Sequence, residues 1–137
     1  MTVMVIDGQG GQIGRELVRR LKEALPGQRL LAVGTNSLAT ANMLKGGAEE
    51  AATGENAVIV GARKADVIVG TLGIVICDAL LGEVTPAMAQ AVGQSDAVRV
   101  LIPLNRCGTL VAGVKEPTTA ALIDDAVEKV IACVKNA

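Results

Sequence analysis

A cluster of glycines between a short apolar run and an amphipathic one constrains this chain more than any other feature. Val3-Met4-Val5-Ile6 leads into Asp7 and then into Gly8-Gln9-Gly10-Gly11-Gln12-Ile13-Gly14. An apolar run without alternation reads as a strand buried on both faces, the habit of parallel sheets. Beyond the glycines, Ile13, Leu17, Val18, Leu21 and Leu25 recur at helical spacing. Arg15, Glu16, Arg19, Arg20 and Lys22 fill the outer face, and Pro26-Gly27 stops the helix. A strand that turns through glycine into a helix aims the first helical N–H groups at one spot. The helix dipole favours negative charge at that same spot.

The rest of the chain repeats the alternation. Leu30 to Gly34 predicts a second strand, followed by the turn and cap formers Thr35-Asn36-Ser37 and a short helix over Leu38 to Lys45. Glu49 to Thr53 predicts a short third strand, and Gly54-Glu55-Asn56 opens a helix that ends in Arg63 and Lys64. Asp66 to Gly70 predicts a fourth strand. Thr71 to Leu81 is either an extended continuation or a buried helix, and Asp78 with the spacing of Ile74, Cys77 and Leu81 favours the helix. Thr85-Pro86 starts a helix that runs to Val92, since a cap followed by proline suits a first turn. Val98 to Ile102 predicts a fifth strand and Leu110 to Val114 a sixth. A last helix begins at Pro117, with Leu122, Ile123, Val127, Val130, Ile131 and Val134 inward. Strands alternating with helices imply parallel strands with right-handed crossovers and helices on both faces. The expectation is a single three-layer, Rossmann-like α/β domain over residues 1–137, with a mostly parallel sheet of five to six strands. Such sheets bind ligands at the carboxyl ends of their strands.

Composition narrows the chemistry. The chain has 137 residues and no His, Tyr, Trp or Phe. A Ser-His-Asp or Cys-His mechanism is therefore excluded within one chain, as is a tyrosine proton donor. Three scattered cysteines, Cys77, Cys107 and Cys133, lack metal-ligand spacing, so no metal site is expected. They suit a reducing cytoplasm, as small buried hydrophobes. With 13 Lys+Arg against 14 Asp+Glu and no aromatic to stack on a base, nucleic acid is not an expected partner. No charged region precedes the first apolar stretch, and the uncharged stretch Val67 to Cys77 is too short to span a bilayer. Neither a signal peptide nor a membrane partner is expected.

The glycine turn aligns as G-x-x-G-x-x-G through Gly8, Gly11 and Gly14, or as G-x-G-x-x-x-G through Gly8, Gly10 and Gly14. Two accounts fit it. In one, Gly8, Gln9, Gly10, Gly11, Gln12 and Ile13 cradle a phosphate with main-chain N–H groups. In the other, glycine serves only a tight turn and close packing. The turn lacks the Lys-Ser/Thr of a P-loop, which disfavours strong nucleotide triphosphate hydrolysis. The second strand ends in Gly34-Thr35-Asn36-Ser37, without the acid that holds ribose hydroxyls in NAD-binding folds and without an arginine for a 2′-phosphate. Thr35, Asn36 and Ser37 either bind ribose or phosphate or cap the next helix. NAD, NADP, a flavin, an adenine nucleotide and a smaller phosphate all stay open. Thr53, Glu55, Asn56, Thr71, Gly73, Asn105 and Arg106 stand at the same rim of strand ends. Glu55 is the best carboxylate for acid–base work or Mg²⁺, against its plainer role as a first-turn acid favoured by the dipole. Arg106 either clamps an anion or is a surface arginine. Asp7 either accepts from a ribose or braces the loop, and Asp78, unusual within an apolar stretch, either binds substrate, pairs across an interface or caps a helix.

Four strings, Val5-Ile6-Asp7-Gly8-Gln9-Gly10-Gly11, Gly34 to Thr40, Ala52 to Ala57 and Leu101 to Cys107, together resemble the bacterial domain of unknown function DUF3842 over nearly the whole chain. The resemblance implies a small bacterial protein and carries over no catalytic residue. The first strand, turn and helix are also similar to those of extended short-chain dehydrogenases. The Tyr-x-x-x-Lys pair of that family has no counterpart here, because the chain has no Tyr.

The expected function is binding of a nucleotide or dinucleotide phosphate at the Gly8–Gly14 turn, as sensor or carrier, with NAD(P) or another nucleotide as the ligand. The alternatives are an enzyme acting on a nucleotide or phosphorylated substrate, and a structural or partner-binding subunit. A homo-oligomer is left open, with Gly70 to Leu81 as its interface or, more plainly, as a core helix.

Overall fold

The first strand decides the layering. Val3 and Val5 point to one face of the sheet and Met4 and Ile6 to the other, and all four are buried. Successive side chains of a strand alternate in direction, so an unbroken apolar run needs cover on both sides. The computed structural model describes residues 1–104, 107–115 and 117–137, in which five strands form one all-parallel sheet. The strands are β1 (Thr2–Asp7), β2 (Arg29–Gly34), β3 (Glu50–Thr53), β4 (Val67–Thr71) and β5 (Val98–Ile102). The helices are α1 (Gln12–Ala24), α2 (Ser37–Lys45), α3 (Glu55–Lys64), α4 (Pro86–Gln94) and α5 (Thr119–Lys135). The order across the sheet is β3-β2-β1-β4-β5, and the architecture is Rossmann-like.

On one face, Val3 and Val5 meet Leu17, Val18 and Leu21 of α1, Met43 of α2, and Ile123, Ala126, Val127 and Val130 of α5. On the other, Met4, Ile6 and Ile68 meet Val58 and Ala62 of α3 and Met88, Ala89 and Val92 of α4. Burying each of these larger side chains contributes about 1.5–3 kcal/mol. The chain runs outward from β1 through β2 to β3, then returns across to β4 on the far side of β1. This reversal puts a switch point between β1 and β4. Register pairs Asp7 with Gly34 and Gly34 with Thr53, so these strand ends share one edge of the sheet, with Thr71 beside them on β4.

Two expected elements are absent. Residues 71–81 do not form an α-helix. Leu72–Val75 make a single 3-10 turn, and Asp78, Leu80 and Leu81 take left-handed φ angles of 65°, 57° and 56°. The Ile74, Cys77, Leu81 spacing was that of a buried helical face, yet Cys77 and Leu81 are exposed while Ile74, Ala79 and Leu80 are buried. Asp78 is exposed in the same turn: its N–H donates to the Val84 carbonyl and its carbonyl accepts from Gly82. The segment 110–114 forms no strand; Leu110 is 92% exposed and a turn follows it. β-branched residues become a strand only against a neighbouring edge. The last helix starts at Thr119, two residues after Pro117, because the Thr118 hydroxyl accepts the Ala121 N–H at 3.1 Å. No helix among the described residues is long and apolar enough to cross a membrane.

Candidate ligand site at the glycine turn

The turn is built from the end of β1. Asp7 is 5% exposed, and its carboxylate lies beneath the glycines. Oδ1 accepts the Gly8 N–H at 2.8 Å and Oδ2 accepts the Gly14 N–H at 2.6 Å. Burial pushes this carboxyl above its ordinary pKa; the two N–H groups oppose that shift and the charge of Glu83 adds to it. Of the two roles open to Asp7, bracing the loop is the one its oxygens perform. Gly11 closes the turn with its N–H on the Gly8 carbonyl at 3.0 Å and a φ of 74°.

Three of the glycines have packing reasons. A Cβ on Gly8 would stand 2.5 Å from Thr35 Oγ1 and 2.6 Å from Leu80 Cδ1. On Gly11 it would stand 2.7 Å from Ala39 Cα, and on Gly14 2.7 Å from Asp7 Cβ and 2.8 Å from Met43 Sδ. Gly10 differs: a Cβ there meets nothing within 4 Å, and its φ is not left-handed. Gly8 therefore makes room for Thr35 and Leu80, Gly11 for α2, and Gly14 for the close approach of α1 to β1, whereas Gly10 is the glycine of the turn whose missing side chain the fold does not use.

The turn is clamped from α2 and from the loop before α4. Asn42 is 8% exposed, and its Nδ2 donates to the Gly10 carbonyl at 2.6 Å. Asn36 Nδ2 donates to the Gln9 carbonyl at 3.0 Å and to Glu83 Oε1 at 2.6 Å, while its Oδ1 caps α2 by accepting the Ala39 N–H at 2.8 Å. Glu83 Oε1 also accepts the Gln9 N–H at 2.9 Å and the Thr35 hydroxyl at 2.8 Å. Partial burial works to raise the Glu83 pKa, but the hydrogen bonds from Gln9, Asn36 and Thr35 prevail and hold it below the usual carboxylate value. A carboxylate does stand beside the end of β2, carried by a residue 48 positions beyond Thr35.

The rim residues divide. Gly8, Gln9, Gly10, Gly11, Gln12, Ile13, Thr35 and Asn36 come together around Glu83 and Asp7. Thr71 is fully buried at the end of β4, beside β1. Thr53 is engaged elsewhere, sharing a 2.7 Å hydrogen bond with the Thr40 hydroxyl. Ser37 is exposed in the first turn of α2. Glu55 and Asn56 are exposed in the first turn of α3, beyond the edge strand β3 and two strands away from β1. Gly73 is buried in the 3-10 turn, and Asn105 and Arg106 lie outside the described residues. Asn42, Leu80 and Glu83 were not expected. Asn42 had a signal, being a polar residue on the same helical face as Ala39 and Met43, both fully buried. Glu83 had none, since its partners are 47 to 74 residues distant.

In the first turn of α1, the N–H groups of Gln12 and Ile13, with that of Gly10 before them, have no acceptor among the described residues. These donors stand at the positive end of the helix, next to the switch point, and can accept an anion. Cavities of 460 and 440 Å³ lie elsewhere, one between α3 and α4 and one at the amino edge of β2 and β3. Neither is lined by a residue of the turn. Among curated proteins and among solved structures, nothing matches the chain. The family model of the domain of unknown function DUF3842 matches residues 2–135, and the protein belongs to that family.

Proposed function

We propose that the protein binds a nucleotide or dinucleotide through its phosphates at the Gly8–Gly14 turn and acts as a ligand sensor or carrier. The observation that carries this is the set of N–H groups of Gly10, Gln12 and Ile13, without an acceptor among the described residues, at the N-terminus of α1 and beside the β1/β4 switch point. Phosphate oxygens only accept, and they suit such donors. Gly10 leaves the approach clear of side chain. Thr35 and Asn36 at the end of β2 offer a hydroxyl and an amide of the kind that ribose needs. NAD(P) heads the ligands to be tried, ahead of flavins and adenine mononucleotides. Binding without turnover is favoured over catalysis, because there is no imidazole or phenol and both oxygens of Asp7 are committed to main-chain donors.

The test is a thermal-shift screen with NAD(H), NADP(H), FAD, FMN, ATP, AMP and inorganic phosphate, followed by calorimetry. Circular dichroism or scattering must follow the melt, since no aromatic residue is present to fluoresce. A ligand held at about a hundred times its Kd adds about 2.7 kcal/mol of stability. A nucleotide that raises Tm and is recovered unchanged supports a sensor or carrier. Conversion of the nucleotide would make the protein an enzyme, and no shift with any of them would overturn the site.

A further inference from the structure

The crevice beside the turn is filled by the chain itself. After the 3-10 turn the backbone folds back, with the Asp78 N–H on the Val84 carbonyl at 2.8 Å and the Gly82 N–H on the Asp78 carbonyl at 3.1 Å. Four residues of this segment are left-handed: Asp78, Leu80 and Leu81, then Gly82 at φ 91°. Leucine rarely adopts that conformation, and it persists only where surrounding contacts impose it. Leu81, at 99% exposure, contributes no such contact. The contacts come from its neighbours. Leu80 is buried over Gly8, and Glu83 Oε1 gathers the Gln9 N–H, the Thr35 hydroxyl and the Asn36 amide. A main-chain N–H of the glycine turn plus two polar donors at the end of β2 are the groups that an oxygen of a bound nucleotide would use.

We propose that residues 77–84 form a latch over the glycine turn, in which the Glu83 carboxylate holds these donors until an oxygen of the nucleotide takes them over. The latch rests on the nucleotide site proposed above. Entry of the ligand moves Glu83 away from Gln9, Thr35 and Asn36 and frees Asp78, Leu80 and Leu81 from their left-handed conformations. A closed latch weakens apparent affinity in proportion to the fraction of molecules that are open.

The intact chain and its Glu83→Ala variant, with its fold checked by circular dichroism, are titrated calorimetrically with NAD⁺, ATP, AMP and inorganic phosphate. Hydrogen exchange at the Asp78 and Gly82 amides is followed with and without the tightest binder. The expected result is nucleotide binding at least about tenfold tighter in Glu83→Ala, with faster exchange at both amides when nucleotide binds the unaltered chain. Binding by the unaltered chain that is equal or weaker in the variant overturns the latch and leaves the nucleotide site standing. Binding by neither protein overturns both. Should Glu83→Ala fail to fold, Glu83→Gln and the exchange experiment decide: nucleotide that slows exchange at Asp78 and Gly82 overturns the latch.

Discussion

The Asp7 carboxylate, at the end of β1, accepts the Gly14 N–H in the first turn of α1 at 2.6 Å. This bond ties the strand to the helix across the glycine turn, and it needs the two backbones close. A methyl group on Gly14 would press on Asp7 Cβ and Met43 Sδ, both in fixed surroundings. Gly14→Ala is expected to lose about 1–3 kcal/mol of stability, as overpacked sites do. Denaturant unfolding followed by circular dichroism measures it.

Gly10 should behave in the opposite way. Its Cβ position is open and its backbone does not require glycine. Gly10→Asp is expected to change stability by no more than about 0.5 kcal/mol, as surface changes usually do. It should weaken phosphate-bearing ligands at least about tenfold, because the new carboxylate repels them at short range. An unfolding curve and a titration on one preparation separate the two effects. Unchanged affinity would remove the phosphate from this turn.

The two carboxylates predict opposite dependences on pH. The Asp7 pKa is raised above 3.8, so the folded protein holds that proton more tightly than the unfolded chain. Its contribution is most favourable below 3.8 and declines as pH rises through the folded value. The Glu83 pKa is lowered below 4.5, so its contribution is present above 4.5 and is lost as pH falls through the folded value. Unfolding free energies measured from about pH 3 to pH 7 should lose part of the acid-side decline in Glu83→Gln, with Glu16 and Glu50 keeping theirs, and the alkaline-side decline in Asp7→Asn.

Thr35 and Glu83 should be energetically coupled. Thr35→Val keeps the shape over Gly8 but removes the hydroxyl that donates to Glu83 at 2.8 Å. The single change is expected to cost about 1 kcal/mol. Combined with Glu83→Gln, a double-mutant cycle should return a coupling of about 0.5 kcal/mol or more. Strict additivity would mean that the hydroxyl and carboxylate do not interact in solution.

Local pattern carries far in this chain. The unbroken run Val3 to Ile6, the helical spacing from Ile13 to Leu25, and the Thr85 cap followed by Pro86 each became the expected element, because each is decided within a few residues. The glycine turn was legible for the same reason. Its clamp was only half legible: Asn42 sits on a periodic inward face, whereas Glu83 follows no period relative to Gln9, Thr35 or Asn36.

The sequence by itself determined the alternation of strands and helices, the two-faced burial of β1, and a glycine turn opening onto a helix N-terminus, since propensity, period and capping act over short spans. Only the tertiary structure decided the order β3-β2-β1-β4-β5 and the use of Gly8, Gly11 and Gly14 for packing. It also decided that residues 71–81 form no helix and that the chain from 77 to 84 folds back beside the turn, because burying Leu80 and engaging Glu83 depend on groups brought near by the whole sheet. A strand at 110–114 fails for a related reason: hydrogen bonds of a strand belong to the pair, and no pattern within one segment supplies its neighbour.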